Sequence, residues 1–553
     1  MKCARALLLV AASAVACSHG PAVRSEATSA TPTSTPTPTP TSTASAPGGA
    51  SADPQPAAQL AAIRSGVDAL LAAQAKLLWE LWTKGAAADL EVAGRDALAS
   101  AENIAAVRAA RDRADGDERR ALTLLHGFLV GERLARAASA SAPNGDAPAI
   151  AWEGRKVAVA RVPALLAAEP DASRRAALER AWVEAERKRR PLADARWSAI
   201  AAAAAELGYG SLAALAAELR GEPTEAFAAL AEGVLATTDG AYEALVGGIA
   251  KLEQARRLPD LRGRDLPRLF RAADDARAFP AARLALDAQG TLAGMGLDLL
   301  GRPGVLLDGE RRAGKDPRAL ALPLAVPGDV RVSFAPLAGA AELRGLLHEL
   351  GAAAYYSNVT TPVLEFQRLG AITADAWAGL FEDLAGEPGW LARHTGVSES
   401  HLAPIVRAAA ARRLHRARSL AARVLVELGR ARDPAFGGAA AKTVLERAFR
   451  HPVDADELEL FLAERDPLLE SADALRALLI AAQAEAYLAA RGPSPWWLST
   501  ESGAALAALF ADGSRLDPAA LARALGAAAL DATALDSSSR ARAGAAGVRF
   551  AER

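Results

Sequence analysis

The segment Leu346-Leu347-His348-Glu349-Leu350-Gly351-Ala352 decides how the chain is read. It lies in an apolar run near 341–357 whose three-to-four spacing predicts a helix. On a helix, residues i and i+4 stand one turn apart on one face. In the pattern His-Glu-x-x-His the two histidines use that spacing to grip zinc, and the glutamate addresses the metal-bound water as general base. Here His348 and Glu349 fill the first two places, and the second histidine place holds Ala352. Alone, the pair is a weak signal, because a single histidine on an apolar helix is more often packed core than a ligand.

Immediately upstream, Val305-Leu306-Leu307-Asp308 and Val330-Arg331-Val332-Ser333-Phe334 are short, partly alternating runs flanked by Gly and Pro, and predict a small strand pair beside that helix. The rest reads as helix. From Ala57 onward, Val67, Leu70, Leu71, Leu77, Leu78 and Leu81 recur at helical spacing, and segments near 117–138, 171–189, 223–256, 402–429 and 471–491 do the same. Pro170-Asp171, Gly221-Glu222-Pro223, Gly301-Arg302-Pro303 and Gly492-Pro493 mark joins. The composition agrees: hydrophobic residues are 51% and aromatics only 5% of the 553 residues. A formal net charge of -1 gives no field to attract nucleic acid.

The N-terminus reads as a targeting signal. Lys2 and Arg5 precede the apolar run Ala6 to Ala14, and Ala14-Val15-Ala16-Cys17 places small residues before a cysteine. The apolar run is too short to span a bilayer. This order resembles a bacterial lipoprotein signal over residues 1–16, with Cys17 lipidated; Ala14 departs from the usual leucine. By the same resemblance, Ser18 after the cysteine points to the outer membrane. Cys3 lies in the removed segment, so Cys17 is the only cysteine of the mature chain, and neither a disulfide nor a cysteine nucleophile is expected. Residues 17–56 are rich in Ser, Thr, Pro and Ala with almost no large apolar residue, and are expected to form a disordered tether.

An ordered set of motifs surrounds the central helix. Before it stands Arg312-Ala313-Gly314-Lys315-Asp316-Pro317-Arg318-Ala319. After it come Leu364-Glu365-Phe366-Gln367-Arg368-Leu369-Gly370 and Ala374-Asp375-Ala376-Trp377-Ala378-Gly379-Leu380-Phe381-Glu382. Asp466-Pro467, Ser471 to Arg476 and Pro495-Trp496-Trp497 follow. The set resembles the zinc oligopeptidase family of thimet oligopeptidase and oligoendopeptidase F (gluzincins), from about Leu300 to Leu535 and, by helical pattern alone, back to Ala57. The family of angiotensin-converting enzyme is a less close match.

The resemblance implies a predominantly helical, all-α domain over 57–553, with lobes of about 57–300 and 301–540, a deep central cleft and a small sheet beside the zinc helix. It places the first zinc ligand on His348, the general base on Glu349 and the third ligand on Asp375, where the family has glutamate. The second ligand falls on Ala352. Substrate-facing tyrosines fall on Glu470 and Ala474, while Arg476 is kept. Catalytic zinc needs three protein ligands and an open position, so zinc is expected to bind weakly or not at all. Lost oxyanion donors are expected to weaken catalysis further.

Other residues take plainer readings. His126, His394, His401, His415 and His451 are expected to face solvent or cap helices rather than replace the missing ligand. Tyr355 and Tyr356 are expected to pack in the core, and Trp496-Trp497 to close it. The basic run from Arg412 to Arg418 is expected to be a solvated helix face. The expected function is an envelope lipoprotein with an oligopeptidase-like fold that binds peptides or envelope proteins without efficient hydrolysis. The rival expectations are an active zinc peptidase with substituted ligands, and a purely structural helical lipoprotein. Cys17→Ser should release the protein from membranes or block its maturation; fractionation that finds the variant lipid-labelled and membrane-bound would refute the anchor.

Overall fold

The computed structural model describes residues 54–85, 92–141, 148–271 and 278–550, apart from 396, 434, 467 and 493. The expected signal, Cys17 and nearly all of the expected tether lie outside these residues. The first helix begins at Pro54, three residues ahead of the expected start.

The molecule is predominantly helical with little strand. Helix α1 (Pro54–Lys84) and α2 (Gly116–Ser141) are followed by a hairpin, β1 (Ala149–Trp152) and β2 (Arg155–Ala158). Then come α3 (Ala172–Glu206), α4 (Thr224–Gln254) and α5 (Ala281–Gly294). Strands β3 (Val305–Asp308), β4 (Leu320–Ala325) and β5 (Asp329–Ser333) form a sheet in the order β3-β5-β4. Helices α6 (Ala340–Asn358), α7 (Leu364–Arg368), α8 (Ala371–Glu382), α9 (Glu399–Arg432) and α10 (Glu470–Ala489) carry most of the remainder, with shorter helices between and after them. None of the described helices is long and apolar enough to cross a membrane.

Three local features depart from the sequence reading. The β1–β2 hairpin was not expected; its signal is the two-residue turn Glu153-Gly154, both with positive φ, which suits the twist of a tight hairpin. Helix α3 runs on through Pro191 instead of ending near 189; a single proline deletes one backbone hydrogen bond and a long, packed helix tolerates the loss. Strand β4 completes the sheet. Its leucines 320, 322 and 324 alternate onto one buried face and pack against Leu78, Trp79 and Trp82 of α1. Pro323 in the middle of the run hides this strand in the sequence, because proline argues against a central strand and is tolerated at an edge.

The motif around Lys315 fastens α1 to the sheet. The last carbonyls of a helix need outside donors, and here Asp316 N donates to Trp82 O at 2.7 Å and Arg312 Nε to Thr83 O at 3.2 Å. Trp82 Nε1 returns a bond to Arg318 O at 3.1 Å. Gly314 has φ +81°, and a Cβ on it would stand 2.6 Å from Lys84 O, so only glycine lets the loop approach. Buried Lys315 donates to Asp308 Oδ1 at 2.8 Å. The Arg312 hydrogen bond, with Lys315 adding to it, holds the Asp308 carboxyl down at about 2.

Helix α6 has no wet face through its centre: from Leu346 to Tyr355 every residue is buried, the pattern of a core helix rather than an amphipathic one. It packs along α8, which is buried from Thr373 to Ala378 and again at Leu380 and Phe381. Trp377 and Phe381 of α8 meet Phe510 and Trp496 edge-on; each such ring adds about 1.5–3 kcal/mol by leaving water. Trp496 and Trp497 are both buried in this core. The two helices come close because Gly351 has no side chain. A Cβ there would stand 2.8 Å from the Phe381 ring and 3.2 Å from the Ala378 Cα. Gly351→Ala should therefore destabilise the protein. Overpacking of about 1–3 kcal/mol outweighs a helix-propensity gain of roughly 1 kcal/mol. Chemical denaturation checks this, and an unchanged or raised stability would show that the contact yields.

Candidate functional site

The α6–α8 contact brings His348 and Asp375 together. His348 Nε2 lies 3.6 Å from Asp375 Oδ1, and both residues are buried. The other ring nitrogen, Nδ1, donates to Glu382 Oε2 at 3.2 Å. Glu382 was not singled out from the sequence. Its signal is spacing: it follows Asp375 by seven residues, two helical turns, and so shares that face of α8. Arg416 of α9 approaches the same Glu382 oxygen at 3.5 Å. Glu349 Oε2 accepts the backbone N–H of Ala321 in β4 at 2.7 Å. Ala352 is buried one turn along from His348, on the same face.

Burial and charge divide the protons among these groups. Burial pulls the His348 imidazole down, but the Glu382 hydrogen bond and the fields of Glu349, Glu382 and Asp375 outweigh it and hold it up at about 9. Burial pushes Glu349 up to about 7 against the opposing pull of His348. Burial also raises Asp375, with His348 and Arg416 opposing. For Glu382 burial acts upward, yet the His348 hydrogen bond and Arg416 prevail and hold its carboxyl below the usual carboxylate range. The balance favours a protonated His348 with Glu382 as its ionised partner, while Glu349 and Asp375 are pushed the other way.

That donor set does not fit a catalytic zinc ion. Zinc–ligand bonds of about 2.0–2.2 Å let His348 Nε2 and Asp375 Oδ1 share one ion, and neither atom has a hydrogen-bond partner. The third place, however, is the methyl of Ala352. Glu382 cannot supply it, because it faces the opposite ring nitrogen, the position of a carboxylate that orients a histidine from behind. Among the described residues no three His, Cys, Asp or Glu side chains converge on one point. Binding a cation at Nε2 would also require the imidazolium to give up its proton.

The remaining candidates fall elsewhere. Glu470, Ala474 and Arg476 are not among the residues that line the cavity at His348. Arg476 is buried, pairs with Glu222 and covers the Phe227 ring at 4.5 Å. Glu470 is exposed, and its N–H donates to Asp466 at the start of α10. Tyr355 packs edge-on against Phe510 in the core, and half-buried Tyr356 packs against the same core beside the Tyr355 ring. Burial pushes the Tyr356 phenol up to about 12.

Two readings of basic residues are corrected. The run from Arg412 to Arg418 is not a solvated face: Arg413 pairs with Asp383 at 2.7 Å, Arg416 reaches Glu382, and fully buried Arg418 pairs with Asp239 at 2.6 Å. Helix α9 is interior, so its cations point at carboxylates and carbonyls. His126 and His451 are buried too, against Arg111 and Glu457 respectively. His415 bonds the Tyr242 hydroxyl, His394 stacks on Trp390 and His401 bonds Ser398. Each is engaged away from Asp375.

The space against α6 is a cavity of about 100 Å³, lined by apolar Trp82, Leu284 and Phe334 and by charged groups that include Glu349, Glu382 and Arg416 beside His348. Its mixed apolar and charged lining suits a small amphipathic group. No protein-family model matches the chain, and no curated protein matches it.

The His348 shift predicts a pH dependence. A folded-state value of about 9 against an ordinary 6.5 means that the folded protein holds a proton the unfolded chain has lost. The resulting stabilisation is complete below pH 6.5 and disappears as pH rises through about 9. The stability difference between the wild type and His348→Gln should therefore shrink over that window, measured by denaturant titration at successive pH values. A difference that grows with pH would contradict an imidazolium at this position.

Proposed function

We propose that the chain is a non-hydrolytic envelope lipoprotein built on an oligopeptidase-like helical scaffold, which binds small groups or partners beside α6 and does not cut peptide bonds efficiently. The observation that carries this reading is the donor set. His348 Nε2 and Asp375 Oδ1 stand 3.6 Å apart with Ala352 at the third place. Two further features support it. Glu349, the group in the general-base place, is committed to the Ala321 N–H. The cavity of about 100 Å³ is well below the roughly 300–1,000 Å³ of most ligand pockets, and fits a side chain or chain end rather than a length of peptide. Lipid on Cys17 would hold the domain at the envelope through the tether.

The test is metal content measured together with cleavage of a mixed peptide library. The purified protein should carry far less than one equivalent of zinc and show no Glu349-dependent cleavage. Ala352→His combined with Asp375→Glu should raise zinc affinity by roughly tenfold or more, because it rebuilds a three-ligand site. Stoichiometric zinc with cleavage abolished by Glu349→Gln in the otherwise unmodified protein would establish the active peptidase instead.

A further inference from the structure

The sheet order leaves one side of β4 without a neighbouring strand among the described residues. In a strand, the N–H and C=O of residues i and i+2 point to the same side, so Ala321 and Pro323 present their polar groups on one edge. Ala321 N donates to Glu349 Oε2 at 2.7 Å, away from β5. Pro323 has no N–H to offer, and its carbonyl accepts from Arg368 Nη2 at 2.9 Å. The second guanidinium nitrogen of Arg368 is held by Asp68 of α1 at 3.0 Å, and its side chain is 5% exposed.

An exposed strand edge is a template on which an extended segment adds by main-chain hydrogen bonds. At this edge an acceptor from α6 and a donor from α7 already make two of the bonds that such a segment would make. We infer that Glu349 and Arg368 form a built-in cap on the β4 edge, an autoinhibitory contact that closes it to extended peptides. In this role Glu349 is a positioning residue that clasps the strand to α6. The inference stands on the sheet edge and not on the missing zinc ligand. Zinc found in the wild type would overturn the reading of the preceding section and leave this one in place.

The test uses the full mature chain and two readouts. Hydrogen exchange of the Ala321 amide should be slow in the wild type and stay slow in Glu349→Gln, whose amide oxygen still accepts. It should quicken at least tenfold in Glu349→Ala. Should that protein fail to fold, Glu349→Asp, whose carboxylate stops one methylene short, serves in its place. Fluorescence anisotropy with a labelled, capped Thr-Val-Thr-Val-Thr peptide should give at least tenfold tighter binding to Glu349→Ala/Arg368→Leu (or Glu349→Asp/Arg368→Leu) than to the wild type. Equal Ala321 exchange in the wild type and the clasp variant, or equal peptide affinity in the wild type and the double variant, overturns the inference.

Discussion

Helices α6 and α8 meet at Gly351, which puts no side chain of its own into the contact, and the site depends on that approach. The Phe381 ring occupies the space a Cβ would need, so the two helices sit closer than two ordinary helix faces allow. His348 stands three residues before that contact on α6, and Asp375 and Glu382 flank it on α8. The separation of 3.6 Å between His348 and Asp375 is thus set by packing in the surrounding core, not by the attraction of the two side chains. A buried ion pair contributes little net stability once desolvation is counted. The apolar contact organises the site, and the charges occupy the place it makes for them.

Within that place the electrostatic problem is an excess of carboxylate. Asp375 and Glu382 flank one imidazole and Glu349 is buried nearby, and burying unpaired charge is costly. The structure compensates with cations supplied by protein: His348 itself, and Arg416 reaching in from α9 toward Glu382. Glu349 and Asp375 are pushed toward their protonated forms, which lowers the charge that needs compensation. Arg416 belongs to the same run of α9 as Arg413 and Arg418, and all three end on acidic partners. The helix that reads as a basic surface in sequence therefore works as an interior supply of counter-charge.

What was legible in the sequence and what was not divides along a physical line. Periodicity located the long helices well, because burial of one face is a repeated local signal. The β3–β5 pairing showed itself through β-branched runs and flanking breakers. Strand β4 did not, since Pro323 contradicts a strand until one knows that its carbonyl and missing N–H lie on an edge. The structure sets His348 and Asp375 3.6 Å apart on adjacent helices, a proximity that periodicity alone does not disclose. Glu382 and Arg416 were passed over because their partners are remote in sequence: a carboxylate two turns along α8 and a cation on a different helix acquire meaning only when α8 and α9 are docked. The misreading of His126 and His451 has the same origin. A lone polar residue in sequence looks solvated, and only tertiary structure reveals the Arg111 or Glu457 that makes its burial tolerable.

Glu349 is held by structure, through the Ala321 amide. A general base must offer its lone pairs to water or substrate, whereas this carboxylate accepts a backbone N–H from β4. If the second histidine were present, a metal ion would draw the nearby carboxylates toward itself and relieve their mutual repulsion. With Ala352 in that place, the available partners are the Ala321 amide, the imidazolium and the guanidinium of Arg416. These bonds tie α6 to β4 through Glu349 and to α8 through His348, and α8 in turn to α9 through the Glu382 oxygen that Arg416 shares. In these contacts the cluster is a junction at which the sheet and the central helices are pinned to one another.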